Sequence, residues 1–438
     1  MPRTPRLRPA PCPPSDDPGA RGARLEAAKR AVAVVFGVNG FVIASWLARL
    51  PAVRDLLRMT PGELGLLLLC VSVGSVSALL TSGVVVHRIG PRRACLSAAS
   101  VMSVALSVAG LTPAVPVLAV ALMVVGAGTA VWDVAMNVEG AGVERLLDRP
   151  IMPRFHAGWS LGTAAGAGIG AAAAGLHVPV SWHLVTVCAL ALASVTVAVR
   201  WYVGPQVWGW PDGPAGDPVG GGDPVDGHTD AAHRRSSGVL RAWREPRTVL
   251  IGLLALGMGF AEGAANDWLA VGLVDGYGVS HAVAALGFGV FVTAMTVGRL
   301  VGPWTLSTFG RVRALRAGAV TVAVGVLAVQ AGAAVREQAG LVVALLLAAA
   351  GSLTWGAGTA LGFPVAMSAA ADDPRFAAAR VSVVSAIGYV AFLAGPPVLG
   401  LFGDRFGVVR ALAGVGAAVL LSLVVAGAAR ESEAGYGR

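Results

Sequence analysis

Charge is scarce in this chain. Only 13% of its 438 residues are Asp, Glu, Lys or Arg, whereas 55% are hydrophobic. No soluble domain of this size needs so much apolar surface, so ordinary soluble architectures are excluded at the outset. Cysteine is scarce too. Cys12, Cys70, Cys95 and Cys188 follow no spacing pattern and three lie in or beside apolar runs, which argues against a disulfide framework. No Gly-x-x-x-x-Gly-Lys-Ser/Thr loop occurs, which disfavours an ATP-driven pump. His228 and His233 have no Cys nearby and fit no ligand spacing, so no metal site is expected. Nothing suggests a catalytic constellation, and the expectation is a non-enzyme without cofactor.

What the chain has is apolar runs. About 20 apolar residues span a bilayer. Twelve such runs can be drawn, at about 31–50, 64–86, 95–112, 117–139, 155–176, 183–203, 248–273, 282–304, 314–334, 341–364, 378–402 and 408–429. Lipid offers no hydrogen-bond partners, so runs of this length must be helices, and a β-barrel would show short alternating segments instead. The expected fold is an all-α membrane protein of twelve helices in two pseudo-symmetric bundles of six. Residues 31–203 form the first bundle and 248–430 the second, joined by a flexible Gly/Pro/Asp-rich linker at 204–247. The ends, 1–30 and 431–438, read as tails, the first disordered and too long and polar for a signal peptide.

The formal net charge of +9 comes from arginines that flank apolar runs rather than lining one face, which argues against nucleic acid. Arg3, Arg6, Arg8, Arg21, Arg24, Lys29 and Arg30 precede the first run. Arg88, Arg92 and Arg93 follow the second, and Arg311, Arg313 and Arg316 the eighth. The turns near 113–116, 177–182 and 274–281 have no Lys or Arg. By the positive-inside rule both termini are cytoplasmic and the protein spans a cell (inner) membrane. Arg49, Arg54 and Arg58 run against that count, with Asp55 and Glu63 near enough to soften it; Asp404 does the same for Arg405 and Arg410.

The chain also repeats itself. Gly126-Ala-Gly-Thr-Ala130 followed by Val134-Ala-Met-Asn137 returns as Gly356-Ala-Gly-Thr-Ala360 followed by Val365-Ala-Met-Ser368. Gly37 with Ser45-Trp-Leu-Ala48 returns as Gly259 with Asp267-Trp-Leu-Ala270. A parallel repeat of spanning helices is the build of a secondary transporter whose substrate site lies between the halves. The glycines of 158–170 and Gly388, Gly395 and Gly400 read as packing seams, and Pro396-Pro397 as a kink.

Gly83-Val-Val-Val-His87-Arg88-Ile-Gly90-Pro-Arg92-Arg93 resembles the Gly-x-x-x-Asp-Arg-x-Gly-Arg-Lys/Arg-Lys/Arg signature of the major facilitator superfamily. His87 stands where that family has Asp. A second version ends Ser307-Thr-Phe-Gly310-Arg311 without the acid; a third, Gly400-Leu-Phe-Gly-Asp404-Arg405-Phe-Gly407, falls outside by the topology above. In the family the signature's acid helps to lock the cytoplasmic side. The resemblance therefore makes His87, Arg88, Arg92 and Arg93 gate candidates. Glu144, Arg145, Asp148 and Arg149 are near enough to compensate for the lost acid, and His156 is a candidate gate hydrogen bond. Within the superfamily the chain looks most like the fucose-permease-like sugar:proton symporters. Asp133 followed by Asn137, and Glu262 followed by Trp268, carry that likeness.

An ionisable residue inside a membrane span is costly, and so is functional by default. Asp133 in the fourth run and Glu262 in the seventh are the candidate proton-coupling residues. Against the repeat, Glu262 aligns with Gly40 and Asp133 with Phe363-Pro364, so each half adds an acid its twin lacks. The alternatives are a structural hydrogen bond or ion pair, or contact with a cationic substrate. Asn39, Asn137 and Asn266 add donors and acceptors; Asn137 and Asn266 each lie one turn from an acid. Trp46, Trp268 and Trp355 complete the candidate substrate-binding set, with Trp132 a further ring surface. Asp267 reads as solvated near the outer end, and Glu139 as a partner for Arg145 or Arg154.

The expected function is proton-coupled transport of a small organic solute, with sugar-like symport slightly ahead. Proton-antiport efflux of drugs or metabolites is the alternative, and a non-transporting membrane sensor on the same fold is a second. Expected partners are solute, protons and lipid. A functional monomer is expected.

Overall fold

The computed structural model describes residues 18–148, 151–208, 241–373 and 376–431. Residues 1–17, 209–240 and 432–438 lie outside the described residues, and with them most of the expected linker and tails, Cys12, His228 and His233; so does Arg149. Among the described residues the secondary structure is helical.

The first half comprises α1 (Pro18–Leu47), α2 (Pro61–Ile89), α3 (Pro91–Leu111), α4 (Val115–Leu147), α5 (Met152–Gly175) and α6 (Val180–Trp201). The second comprises α7 (Pro246–Tyr277), α8 (His281–Phe309), α9 (311–339), α10 (341–359), α11 (Ala377–Phe406) and α12 (Val408–Ala429). Among the described residues ten stretches are long and apolar enough to cross a membrane. One of them, Arg311–Ala370, has 60 residues, about three times what one crossing of a bilayer needs. Gly340, at φ +83°, folds it back on itself into α9 and α10, and Gly318, Gly325 and Gly332 of the first arm then face Gly358, Gly351 and Ala344 of the second. α5 is outside the ten because it is rich in Gly and Ala, yet its 24 residues also reach across. Among the described residues this gives twelve helices long enough to span, consistent with the expected count.

The three signature copies share one physical task. Gly90, Gly310 and Gly407 have φ of +81°, +76° and +85°, and each ends one helix and begins the next. A side chain is strained there, so glycine is required. The internal repeat is a packing seam in both halves. A Cβ on Gly126 of α4 would overlap the Val71 carbonyl of α2, and one on Gly356 of α10 would overlap the Phe291 carbonyl of α8. α1 and α5 meet in the same way through Gly37 and Gly162.

Capping is local. Thr60 and Glu63 form a capping box before α2, with Thr60 N donating to Glu63 Oε2 at 2.9 Å and Glu63 N to Thr60 Oγ1 at 3.2 Å. Leu80, Leu346 and Val424 lie bare on the outside, as lipid-facing residues do, while Trp182, Trp201 and Trp304 are exposed near helix ends, the level of the membrane interface. An apolar groove of about 730 Å³ between α3 and α4, lined by Val101, Val104, Val117 and Val120, belongs to this lipid-facing surface.

The halves meet along two seams, α2 with α11 and α5 with α8. Ser72 Oγ donates to the Phe392 carbonyl at 2.8 Å on the first, and Thr296 Oγ1 lies 3.5 Å from the Ser160 carbonyl on the second.

Candidate functional site

A cavity of about 490 Å³ lies between these seams. α1 contributes Trp46, α4 Asp133, α5 Trp159, α7 Asn266 and Asp267, and α11 Tyr389 and Phe392. Asp133 and Asn137 share a face, as their spacing implied: Asn137 Nδ2 donates to the Asp133 carbonyl at 2.8 Å and to its Oδ1 at 3.2 Å. Among the described residues no Lys, Arg or His lines the cavity.

A second cavity, of about 990 Å³, lies between α5, α8 and the broken end of α10 and reaches the face on which α1 begins and α12 ends, here the terminal face. His156, Arg299, Phe363 and Arg311 line it, with Glu431 at its mouth. The indole of Trp159 borders both cavities and donates to Asn39 Oδ1 at 3.0 Å. Asn39 is therefore a buried support for Trp159, and its own Nδ2 has no partner among the described residues.

Glu262 is engaged. Its Oε1 accepts from Arg299 Nη2 of α8 at 2.8 Å, with both side chains largely shielded. An Arg in the apolar run of α8 was itself the signal for this partner, because an unpaired charge there would be expensive. Glu262→Gln strands Arg299 and should lower thermal stability by about 2 kcal/mol. Glu262→Gln with Arg299→Gln should recover most of that loss in a melting experiment.

Several residues sit elsewhere than the sequence suggested. Trp268 and Trp355 are fully buried and line neither cavity. Trp355 Nε1 donates to the Ala261 carbonyl at 3.0 Å and its ring meets Phe291 edge-on, so it is a packing residue. Trp132 is likewise buried. Trp159, which the sequence did not single out, takes the place of a cavity aromatic. Asp267 is not at a solvated outer end but lines the central cavity. Glu139 is wholly buried and accepts from Val203 N at 2.5 Å and Gly204 N at 3.2 Å, anchoring the chain after α6.

The gate candidates divide. His87, Arg88, Arg92 and Arg93 are exposed on the terminal face, as are Arg145, Asp148 and His156. Glu144 turns toward α5, where its Oε2 accepts from Ile151 N and Met152 N, both at 2.6 Å. A carboxylate on a helix N-terminus is worth about 1 kcal/mol. Glu144→Gln with Asp148→Asn should therefore lower the melting temperature slightly and leave access to the second cavity unchanged; a change in alkylation of a cysteine at its mouth would contradict this placement. The ion pairs Arg311–Asp372 (2.6 Å), Arg247–Asp372 (2.9 Å) and Arg380–Glu245 (2.7 Å) on this face each stay within the second half. The Arg380 hydrogen bond pulls the Glu245 carboxyl below the usual range, so what the pair adds is present above a free glutamate's pKa and fades as pH falls through the lowered one.

The opposite face is tied shut across the halves. Arg54 donates from Nη1 to Asp275 Oδ2 and from Nη2 to Asp275 Oδ1, both at 2.6 Å. Arg54 also grips Asp55 at 2.8 Å, and the other Asp55 oxygen lies 2.8 Å from His281 Nε2. Asp404, from the third signature copy, accepts from Gly62 N at 2.9 Å. The structure is thus closed at this end, with its larger cavity reaching the terminal face.

The family model described as Major Facilitator Superfamily matches residues 32–396. An uncharacterized transporter, y4wD, of Sinorhizobium fredii is 30% identical over 382 residues, 87% of this chain and 92% of that one. The crystal structure of the D323A mutant of the nucleoside transporter NupG matches with a TM-score of 0.67 at 13% identity, covering 92% of this chain and 98% of that one. A bacterial homolog of the human lysosomal transporter Spinster, solved inward-facing and unoccupied, matches with a TM-score of 0.66 at 15% identity, over 95% and 97%.

Proposed function

The chain belongs to the major facilitator superfamily, and we propose that it is a proton-coupled transporter of a small organic solute that works by alternating access. The observation carrying this is Asp133: an acid on a spanning helix, open to a cavity between the halves and held by Asn137 rather than by a cation. Such a group can load a proton on one side and release it on the other. One charge moved through about 100 mV gains roughly 2.3 kcal/mol, enough for about 50-fold accumulation. Glu262 is the second proton site, since protonation would release Arg299. Trp46, Trp159 and Asn266 offer ring and amide surfaces to the solute, with Asn39 behind Trp159 and Asn137 behind Asp133.

Both termini are assigned to the cytoplasm and the chain to the cell membrane. The cavity that reaches the terminal face then makes this an inward-facing state, and Arg54, Asp55, Asp275, His281 and Asp404 form the outer latch. Cysteines placed at Ala114 and Pro179 should label from outside intact cells, and one at Val312 should not; outside labelling at 312 would reverse the orientation.

Reconstituted vesicles with an internal pH dye test the function. A transported solute should accumulate under an imposed pH gradient and stop when a protonophore is added. Equal flux with and without the gradient would remove proton coupling, and no flux of any solute would favour a sensor on this fold.

A further inference from the structure

Along the route through the molecule, positive charges are matched and two negative ones are not. In the cavity that reaches the terminal face, Arg299 is paired with Glu262 at 2.8 Å, and Arg311 with Asp372 at 2.6 Å and Glu431 at 3.5 Å. In the central cavity, Asp133 has only the Asn137 amide, and Asp267 has no hydrogen-bond or ion-pair partner among the described residues. The two acids come from opposite halves, α4 and α7. The other titratable lining group is Tyr389 of α11. Two carboxylates without a counter-charge in a membrane-embedded cavity must be relieved by protons or by a bound cation.

We propose that the solute is an organic cation whose ammonium or guanidinium group is held by the acids that line this cavity, Asp133 and Asp267, with its ring or apolar body against Trp46, Trp159 and Phe392. This rests on the reading of the central cavity as the transport site. A charge-assisted hydrogen bond is about twice as strong as a neutral one, and the aromatic walls add cation–π attraction. The cavity volume of about 490 Å³ suits a small ligand of this kind. A neutral sugar would supply no counter-charge, and an anion would be repelled. Because the acids that line the cavity belong to different halves, cation binding there is tied to their movement. Solute and protons then compete for the same carboxylates, which makes the coupling an exchange of protons for solute.

The test is binding to the purified full chain in detergent, using phenethylamine, its neutral isostere 2-phenylethanol and the anionic 3-phenylpropionate. At about pH 8 the amine should bind at least about tenfold more tightly than either isostere. Asp133→Asn and Asp267→Asn should each weaken it at least about tenfold. Asp267→Glu, which keeps the charge, should retain binding, and melting without ligand checks that each variant is folded. Equal affinity for the amine and the alcohol, unchanged affinity in both Asn variants, or no amine binding at millimolar concentration would each overturn the proposal. Failure of the transport reading looks different: amine binding that needs both acids, in vesicles that show no gradient-driven flux. Gradient-driven flux of a neutral solute, insensitive to Asp267→Asn, would keep transport and refute the cation site.

Discussion

Asp133→Asn is expected to abolish gradient-driven accumulation while solute exchange at saturating concentration continues. The amide keeps the shape of the carboxylate and can still bond Asn137, which lies 3.2 Å away. What it loses is the ability to carry a proton between the two sides. The forfeited driving force is about 2.3 kcal/mol per 100 mV, so an accumulation ratio near 50-fold should fall to about one. Saturating solute matters because the same substitution removes one carboxylate from the proposed cation site. Counterflow in vesicles measures exchange and separates the two effects. If Asp133→Asn and Glu262→Gln both still concentrate solute, neither residue is the proton carrier.

Arg54→Ala should open the outer end. Arg54 is the hub of the latch, with two bonds to Asp275 and two to Asp55, and its side chain is only 9% exposed. Removing one partner of a fully buried pair costs about 3–5 kcal/mol. The Asp275 side chain is 30% exposed, which reduces the effect to about 2 kcal/mol. That still moves a two-state equilibrium about 30-fold toward the outward-open form. A cysteine at Leu47, which lines the central cavity, should then react faster with a charged reagent added outside. Asp275→Asn should act in the same direction. An unchanged rate in both variants would reduce the latch to a surface ion pair.

The spanning helices were legible because lipid leaves the backbone no alternative. Their pairing into halves was legible because the repeat at Gly126 and Gly356 is forced by backbone contacts that no side chain tolerates. The signature could be read for the same reason, since Gly90, Gly310 and Gly407 each need a positive φ. Asp133 with Asn137 was visible as one turn of one helix. Contacts between distant residues were not visible. Arg54 and Asp275 are 221 positions apart, and in the sequence Arg54 only counted against the topology. Asp404 looked like a stray copy of an inner motif, yet it reaches Gly62 across the halves. Aromatic roles were misread because helical spacing cannot tell a cavity wall from a core: Trp355 faces Ala261 and Phe291, whereas Trp159 faces the open space. Asp267 follows Asn266, and sequence alone placed it by depth rather than by direction.

Alternating access is the central claim, and paired spin-label distances test it most directly. Ile89 and Phe309 are exposed on the terminal face of the two halves, and Leu111 and Val342 are exposed on the opposite face. With cysteines at each pair in turn, the resting protein should hold the first pair apart and the second pair together. Arg54→Ala, or saturating solute, should shorten the first distance and lengthen the second in the same molecules. Two distances that stay fixed under solute, acid pH and Arg54→Ala alike would contradict the account and describe a membrane protein that does not transport.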